Sequence, residues 1–341
     1  MSVKMEDVAR AAGVSTATVS RVLNNPDLVS DDTKQRVMDA IQQLDYKINL
    51  AARSLRTNQT RTIAIVIPTI SEPVMNELVE AVEDVAVQEN YTLLLCSTRG
   101  NPEREQAYIR LLTQQTIADG VLYLSPRAAP DVVRQLLDGP APVILCNYSL
   151  DDTATPSVMM DHVSSIQQTT AYLLSLGHRQ VALLNLSAPH YYPARMRHQG
   201  FENAFAEIGL TPDPILIKEL DQPTYEHDEW QDTIHQLFDL PDPPTAIVAF
   251  NDMVALQVYA VCRQRGLRIP DDISVTGCDD ILSASHVEPA LTTVRIPARE
   301  QGRIAMQYLL KMITQPEASI NSLTLIPVEL VTRESCTVPA G

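Results

Sequence analysis

Residues 5–44 constrain the fold most, because the spacing of their apolar side chains predicts three short helices joined by very tight turns. Gly13 follows the first helix at a position where a helix ends most easily in a residue with positive φ. Ser15 and Ser30 stand where a hydroxyl can cap the second and third helices, and Asp31 and Asp32 suit the positive end of the third. The apolar faces are predicted to share one core, formed by Met5, Val8, Ala9, Ala12, Val19, Val22, Leu23, Val37, Ala40, Ile41 and Leu44. The second helix keeps one exposed face, of a size that fits the major groove of DNA.

A three-helix pattern alone would also fit a small helical bundle without any role in DNA binding. The identity and order of the residues are more specific than the helix pattern, because the run VARAAGVSTATVSRVLN at residues 8–24 resembles the amino-terminal signature of the lactose-repressor/galactose-repressor (LacI/GalR) family. The likeness continues through Val29, Ser30 and Thr33 to Tyr46 and the ARSL run at residues 52–55, and it covers nearly the whole chain. It implies a helix-turn-helix DNA-binding domain over residues 1–46, a hinge helix or linker over 47–59 and an effector-binding and dimerisation core over 60–341.

The resemblance also assigns roles to individual residues of the first domain. Thr16, Ala17 and Arg21 lie on the outward face of the second helix and match the base-reading positions of the family. The expected contacts to the DNA backbone are Ser15, Ser20, Asn24, Ser30, Thr33 and Tyr46. The expected partner is a pseudo-palindromic operator in double-stranded DNA, bound by a homodimer.

In the linker, Leu55 matches the family leucine that is pushed into the minor groove by a hinge helix. The stretch from Leu50 to Arg56 is only about two turns long, and so short a helix is marginal on its own. An ordinary linker with an incidental leucine is the alternative. Ile48 stands where family members often have proline, which predicts a looser entry to the hinge.

Charge is distributed unevenly along the chain. The formal net charge is −16, yet residues 1–61 hold 9 of the 26 basic and 7 of the 42 acidic residues, so they carry +2 and the rest −18. Arg10, Arg21, Lys34, Arg53 and Arg56 are therefore available to neutralise phosphates. The first 25 residues lack the apolar segment of a signal peptide and the five cysteines form no CxxC pair, so we expect a cytoplasmic protein with reduced thiols and no membrane association.

Beyond Thr60, apolar runs alternate with amphipathic segments, which predicts two successive doubly wound α/β units. The expected strands are 63–67, 92–96, 120–124 and 143–146 in the first unit and 181–184, 215–220, 246–249 and 273–275 in the second. The family likeness here is to a periplasmic-binding-protein-like core of two parallel-sheet lobes. The N-lobe is expected at about 60–161 and 292–325 and the C-lobe at about 162–291 and 326–341, with the chain crossing near Asp161, Thr292 and Ile326.

Three segments, residues 197–201, 250–255 and 277–280, match family regions that line the effector cleft between such lobes. The first and third contain Arg197 and Asp279, a forked donor and a carboxylate that can hold a polar ligand. For Arg197 the structural alternative is an inter-lobe salt bridge, and for Asp279 it is a turn at a strand end. Asn147, Tyr225 and Asn251 are further candidates. Residues 239–246 are slightly similar to the cytidine-repressor subgroup, so the effector is expected to be a sugar or a nucleoside-like molecule.

We also considered an enzyme, because a two-lobed α/β core could catalyse a reaction on a sugar or nucleoside. No GxGxxG, GxxxxGK[ST], GxSxG or HExxH motif is present, so no cofactor, metal site or catalytic residue is predicted. Gly177, His178 and Arg179 are interpreted as a helix end with positive charge against the helix dipole. The favoured function is a ligand-responsive repressor, and the alternative within the family is a catabolite-control-type regulator whose co-effector is a protein.

Overall fold

The computed structural model describes residues 3–24, 28–46, 59–125, 129–150, 155–187, 191–220 and 229–339. They belong to two compact units, Met1–Thr60 and Arg61–Gly341. The linker residues 47–58, with Leu55, and the segment 221–228, with Tyr225, lie outside the described residues. None of the described helices is long and apolar enough to cross a membrane.

The first unit contains the three predicted helices, α1 (Met5–Ala12), α2 (Thr16–Asn24) and α3 (Asp31–Gln43). Gly13 ends α1 with φ 64°, and the Ser15 hydroxyl accepts a hydrogen bond from the amide of Thr18 at 3.1 Å, as a cap should. The predicted side-chain cap at Ser30 is wrong. Its hydroxyl donates instead to the Thr33 hydroxyl at 3.0 Å and accepts from no amide of α3 in the first turn.

One apolar core holds the three helices together. Its fully buried members come from all three helices, and they are Val8, Ala9, Ala12, Val19, Val22, Val37 and Ala40. The predicted core residues Met5, Leu23, Ile41 and Leu44 pack against this cluster but are only partly buried. The unit is therefore a small folded domain with α2 on its surface.

The second unit contains a parallel sheet of six strands. We call this sheet, together with the helices that cover it, the first lobe. Its strands in spatial order are β11 (Leu323–Ile326), β5 (Ser157–Met160), β4 (Val143–Cys146), β3 (Gly120–Tyr123), β1 (Thr62–Ile67) and β2 (Thr92–Ser97). Helices α4 (Pro73–Gln88) and α11 (Ala298–Thr314) cover one face, and α5 (Pro102–Gln114) and α6 (Pro130–Leu137) cover the other. Gly302 lets α11 approach α4 closely, because a Cβ there would lie 2.5 Å from the carbonyl oxygen of Leu78.

A four-stranded parallel sheet forms the second lobe. Its strands in order are β7 (Ile217–Leu220), β6 (Val181–Leu186), β8 (Ala246–Ala249) and β9 (Ser274–Thr276). Helices α7 (His162–Ser175) and α8 (Tyr192–Glu207) pack on one face, and α9 (Glu229–Phe238) and α10 (Asp252–Arg265) pack on the other. The strand expected at 215–220 is shorter than predicted, because Asp213 caps a single 3₁₀ turn over Pro214–Leu216 that precedes it.

The chain passes between the two sheets in three places among the described residues. It runs from β5 directly into α7 through Asp161, from β9 back to α11 through β10 (Thr293–Arg295), and from β11 into β12 (Glu329–Val331). Strands β10 and β12 pair antiparallel and form a small separate sheet. The connections of the two lobes therefore lie side by side, next to the carboxyl ends of β5 and β11.

Candidate functional site

The exposed face of α2 presents the residues that the sequence predicts to read bases. Thr16, Ala17 and Arg21 are exposed, while Val19 and Val22 on the opposite side of the helix are buried. Among the expected backbone contacts, Ser15 and Ser30 are exposed and Ser20, Thr33 and Tyr46 are partly buried, whereas the side chain of Asn24 lies outside the described residues. The face is free of acidic side chains within α2, so it can approach a phosphate backbone without like-charge repulsion from its own helix.

Arg36 is a residue that the sequence analysis did not select. Its guanidinium on α3 donates from Nη2 to the Ala12 and Gly13 carbonyl oxygens at 2.6 and 3.1 Å, and from Nε to the Ala12 oxygen at 3.2 Å. These carbonyls are left free where α1 ends, and a charged donor binds them strongly. Arg36 thereby fixes the turn that sets the angle between α1 and α2.

A cleft of about 750 Å³ lies between the two lobes of the second unit. Its walls are formed where parallel strands of both sheets end, which is the position where open α/β folds bind ligands. From the first lobe come Thr69, Glu72, Ser97, Thr98, Arg99, Glu105, Ser125 and Asn147, and from the second come His162, Leu186, Tyr191, Arg197, Phe250, Asn251 and Asp279. The volume is in the range of small-molecule sites.

Arg197 lies on the second-lobe wall of this cleft. It is only 8% exposed, and its Nε and Nη1 atoms have no hydrogen-bond partner among the described residues. Its guanidinium carbon lies 5.0 Å from the centre of the Phe250 ring. Burial lowers the pKa of Arg197, but Tyr191, Cys278 and Asp279 outweigh burial, and the net effect raises that pKa. Arg197 is therefore a charged donor with two N–H directions open to a ligand.

No ion pair between Arg197 and a carboxylate is present within 4.0 Å in the described part of the chain, and Asp279 is the carboxylate that acts on it from a greater distance. The inter-lobe salt bridge considered for Arg197 is accordingly not seen among the described residues. A buried N–H group left without an acceptor costs about 1–3 kcal/mol. That cost indicates that the site is completed by a molecule that brings acceptors.

Asp279 follows β9 and lines the same cleft. Its φ of 128° is unusual for a residue with a side chain, and its amide donates to the Val294 carbonyl oxygen at 2.8 Å, in strand β10. Burial raises the pKa of Asp279 well above its ordinary value, and the nearby carboxylates of Asp252 and Glu72 raise it further. Asp279 therefore joins the cleft directly to one of the crossing strands.

Asp252, the first residue of α10, stabilises the turn that contains Asp279. Its carboxylate accepts from the Thr293 hydroxyl at 2.5 Å and from the Ile281 amide at 2.9 Å, and burial raises its pKa to about 6. Gly277 leaves room for it, since a Cβ there would lie 2.1 Å from Oδ1 of Asp252. A buried carboxylate thus connects α10, the Asp279 turn and β10.

The two candidate asparagines already serve the fold through their side-chain oxygens. Oδ1 of Asn147 accepts from the Met160 amide at 3.2 Å and from Nε2 of Gln301 at 2.9 Å. Oδ1 of Asn251 accepts from the Val254 amide at 2.9 Å and caps α10. Both residues line the cleft, where their carbonyl oxygens are already occupied by the fold.

His162 and Glu105 line the cleft and were not among the predicted site residues. Glu105 accepts from the Tyr123 hydroxyl at 2.7 Å, and burial raises the pKa of Tyr123 above its ordinary range. His162 is 4% exposed, and its Nε2 has no hydrogen-bond partner among the described residues. The sequence signal was present for His162, because it stands where the family often has asparagine, but nothing in the sequence places its ring in the cleft.

His178 corrects one interpretation made from the sequence. It is 1% exposed, its Nδ1 lies 2.8 Å from the Thr245 hydroxyl and its Nε2 lies 2.8 Å from the Thr337 carbonyl oxygen. Burial lowers the pKa of His178, so it does not place a positive charge at the end of α7. Arg179 does, since its Nη1 donates to the Leu174 and His178 carbonyl oxygens at 3.0 and 2.7 Å.

The arrangement can bind a polar molecule through forked donors, carboxylates and amides. Among the described residues, no group of three or more His, Cys, Asp or Glu side chains could hold a metal ion. All five cysteines are unpaired thiols, and burial raises the pKa of Cys278, next to Asp279, well above its usual value.

Each of the two units matches a known protein family. Residues 4–49 match the description "Bacterial regulatory proteins, lacI family", and residues 170–336 match a periplasmic binding protein-like domain. The chain is 33% identical to the HTH-type transcriptional regulator RegA of Clostridium saccharobutylicum, over 98% of this chain and 99% of that protein. It is 31% identical to the repressor PurR of Aliivibrio salmonicida (strain LFI1238), over 97% and 98% of the two chains.

Solved structures give the same result. The lac repressor dimer bound to operator and the anti-inducer ONPF matches with a TM-score of 0.84 and 28% identity, covering 99% of this chain and 100% of that one. The complex of the transcriptional regulator CelR with cellobiose matches with a TM-score of 0.73 and 29% identity, covering 98% and 99%. The family resemblance and the fold class predicted from the sequence are confirmed. The chain belongs to the lacI family of bacterial regulatory proteins.

Proposed function

We propose that this protein is a repressor that binds a pseudo-palindromic operator as a homodimer and whose affinity for DNA is set by a small polar effector between the lobes. Residues 1–46 bind DNA in this proposal, with Thr16, Ala17 and Arg21 at base edges and Ser15, Ser20, Asn24, Ser30, Thr33 and Tyr46 at the backbone. Support comes from the exposure of this α2 face on a folded domain and from the relative whose structure was solved as a dimer on its operator. Residues 47–59 are proposed as the hinge, with Leu55 as the minor-groove wedge.

The observation that carries the effector proposal is Arg197, a buried cation with two unpartnered N–H directions on a cleft wall. Asp279 and the amides of Asn147 and Asn251 line the same cleft, so donors and acceptors surround one space. Such a mixture suits a molecule with several hydroxyl or carbonyl groups, which is the chemistry of sugars and nucleosides. We assign Arg197, Asp279, Asn147 and Asn251 to effector binding and keep Tyr225 as a further proposed contact.

The coupling between effector and DNA follows from the position of Asp279. Its backbone is bonded to β10, and the neighbouring Asp280 carboxylate pairs with Arg295 in β10 and with Arg333 after β12. An effector that binds one arrangement of the crossing strands more tightly than another shifts the population toward the first arrangement. The free energy of the shift is about 1.4 kcal/mol for each tenfold difference between the two affinities. Operator DNA must then change effector affinity by the same factor by which effector changes operator affinity.

Selection from a random-sequence duplex library tests the DNA-binding part. The full chain should enrich a site with two related half-sites, and its affinity should fall as salt rises, because binding releases counterions from the phosphates. Arg21→Ala should bind the selected site more weakly and discriminate less at one base pair in each half-site. Recovery of no shared site, or equal binding of selected and random DNA, would reject sequence-specific DNA recognition.

Calorimetric titration tests the effector part, with cellobiose, ribose, cytidine and inosine as probes. At least one should bind the wild type, and Asp279→Ala should lose that binding while it keeps its operator affinity. If none of the four small molecules binds, and addition of a cell protein extract changes the operator affinity, a protein co-effector would be favoured. The proposal involves binding without catalysis, so conversion of a probe into product would favour the enzyme alternative.

A further inference from the structure

His162 is the second unsatisfied polar side chain on the wall that holds Arg197. Both side chains are more than nine-tenths buried, and both line the cleft. Nε2 of His162 and Nε and Nη1 of Arg197 have no hydrogen-bond partner among the described residues. Three buried polar atoms without a described partner thus belong to two residues that line the same cleft, and the charge of Arg197 acts on the imidazole of His162.

His178 shows what a purely structural buried histidine looks like in the same lobe. Its two ring nitrogens are both occupied, by the Thr245 hydroxyl on one side and by the Ser274 hydroxyl and the Thr337 carbonyl oxygen on the other. His162 is equally buried and has nothing at Nε2 in the part of the chain that the structure describes. Packing alone therefore explains His178 and does not explain His162.

We propose that His162 is a direct effector contact, whose Nε2 receives a hydrogen bond from an effector hydroxyl that also accepts from Arg197. The inference rests on the proposed effector function and adds to it a residue and a ligand group. A hydroxyl suits this pair because it has one proton to donate and lone pairs to accept. Arg197 can only donate, and a neutral imidazole with its proton on Nδ1 can only accept at Nε2.

The charges around the ring agree with a neutral imidazole. Burial, and after it the charge of Arg197 on α8, holds the pKa of His162 well below its usual value. Arg197 is the only charged group that acts on the ring among the described residues, and Asp161 precedes His162 on its own element. Asp161 is committed to the helix, because its carboxylate accepts from the Ser164 amide at 2.9 Å and the Ser164 hydroxyl at 2.7 Å.

The position of His162 gives the contact a consequence for switching. His162 is the first residue of α7, directly after the chain leaves β5 of the first lobe. The preceding Asp161 amide donates to the Ile326 carbonyl oxygen at 3.1 Å, where β11 also leaves the first lobe. An effector hydroxyl bound to His162 therefore acts on the crossing itself rather than on the end of a lobe.

The test uses the full chain and the same four probes, cellobiose, ribose, cytidine and inosine, all of which carry hydroxyl groups. His162→Leu removes the ring nitrogen and keeps an apolar side chain of similar size, and His162→Gln restores a polar atom at about the reach of Nε2. We expect His162→Leu to weaken effector binding at least tenfold, and His162→Gln to recover part of the loss. His286→Asn, at an exposed histidine, is the matched control and should bind as the wild type does.

Side-chain ¹⁵N spectra of the wild type give a second measurement that does not depend on a variant that folds. Addition of a binding probe should shift the Nε2 resonance of His162, while that of His178 stays in place. A probe that binds wild type and His162→Leu equally, or binds without shifting Nε2, overturns the role of His162 and leaves the effector proposal standing. If none of the four probes binds the wild type, the effector proposal fails and the role of His162 fails with it.

Discussion

Replacement of Arg197 by methionine separates binding from stability, because this guanidinium is buried without its full set of acceptors. Methionine keeps an unbranched side chain of similar length and needs no hydrogen bonds. We expect Arg197→Met to bind effector at least tenfold more weakly and to leave the ligand-free protein as stable as the wild type or slightly more stable.

The magnitude follows from the contacts of Arg197. Removing Nε and Nη1, which carry three N–H groups without a described partner, recovers about 2–3 kcal/mol in all, at about 1 kcal/mol for each nitrogen or each N–H. The variant loses the contact with the Phe250 ring, worth about 1 kcal/mol, and the hydrogen bond with Tyr191, worth about another. The net change is a stabilisation of between zero and about 1 kcal/mol, or a rise in Tm of up to about 4 °C for a unit of this size.

Thermal unfolding of the ligand-free protein measures this change, with Arg195→Met as the control. Arg195 lies two residues away on α8, is exposed, and stacks on the Tyr192 ring at 5.5 Å, so its replacement should change neither Tm nor effector binding. A fall in the Tm of Arg197→Met by more than about 4 °C would show that Arg197 is needed to hold the lobes together. The interpretation of Arg197 as a ligand group would then be refuted.

Four further changes test other parts of the molecule. Arg21→Ala should cost about 1–3 kcal/mol on the selected operator in fluorescence-anisotropy titrations, and an equal loss on random DNA would make Arg21 a phosphate contact. Leu55→Ala should reduce operator bending in a circular-permutation gel assay with effector binding unchanged, and an unaltered bend would reject the wedge. Gly200→Ala should destabilise the second unit by about 1–3 kcal/mol in urea unfolding, because its Cβ would lie 2.2 Å from the Val163 carbonyl oxygen. A free energy of unfolding equal to that of the wild type would mean that α7 and α8 can move apart without loss of stability. Burial lowers the pKa of His178, so below about pH 6.5 the unfolded chain binds a proton that the folded chain does not, and the free energy of unfolding falls with falling pH. His178→Asn should reduce the slope of that free energy against pH by up to about 1.4 kcal/mol per pH unit in urea unfolding. An identical slope in wild type and variant would mean that His178 is protonated in the folded protein.

The elements with strong local signals could be predicted from the sequence. The three helices of the first unit, the positive φ of Gly13 and the cap by Ser15 depend on neighbours within four residues. The long apolar runs became β1, β3, β4 and β8 for the same reason, since only a fully buried strand is apolar on both faces. Strands β5, β10, β11 and β12 were not predicted, and β10, β11 and β12 contain polar or charged residues that interrupt the apolar run.

By itself, then, the sequence determined the family, the α/β fold class, the exposed face of α2 and the presence of Arg197 and Asp279 in segments that line a cleft. Only the tertiary structure decided how those side chains are used. It occupied the oxygens of Asn147 and Asn251 in the fold, and it enclosed His178 with partners on both nitrogens. It left Nε2 of His162 buried without a hydrogen-bond partner among the described residues. The physical reason is that hydrogen-bond satisfaction and pKa depend on groups brought together from distant parts of the chain, as Thr245 and Thr337 are around His178, and no local pattern records those neighbours.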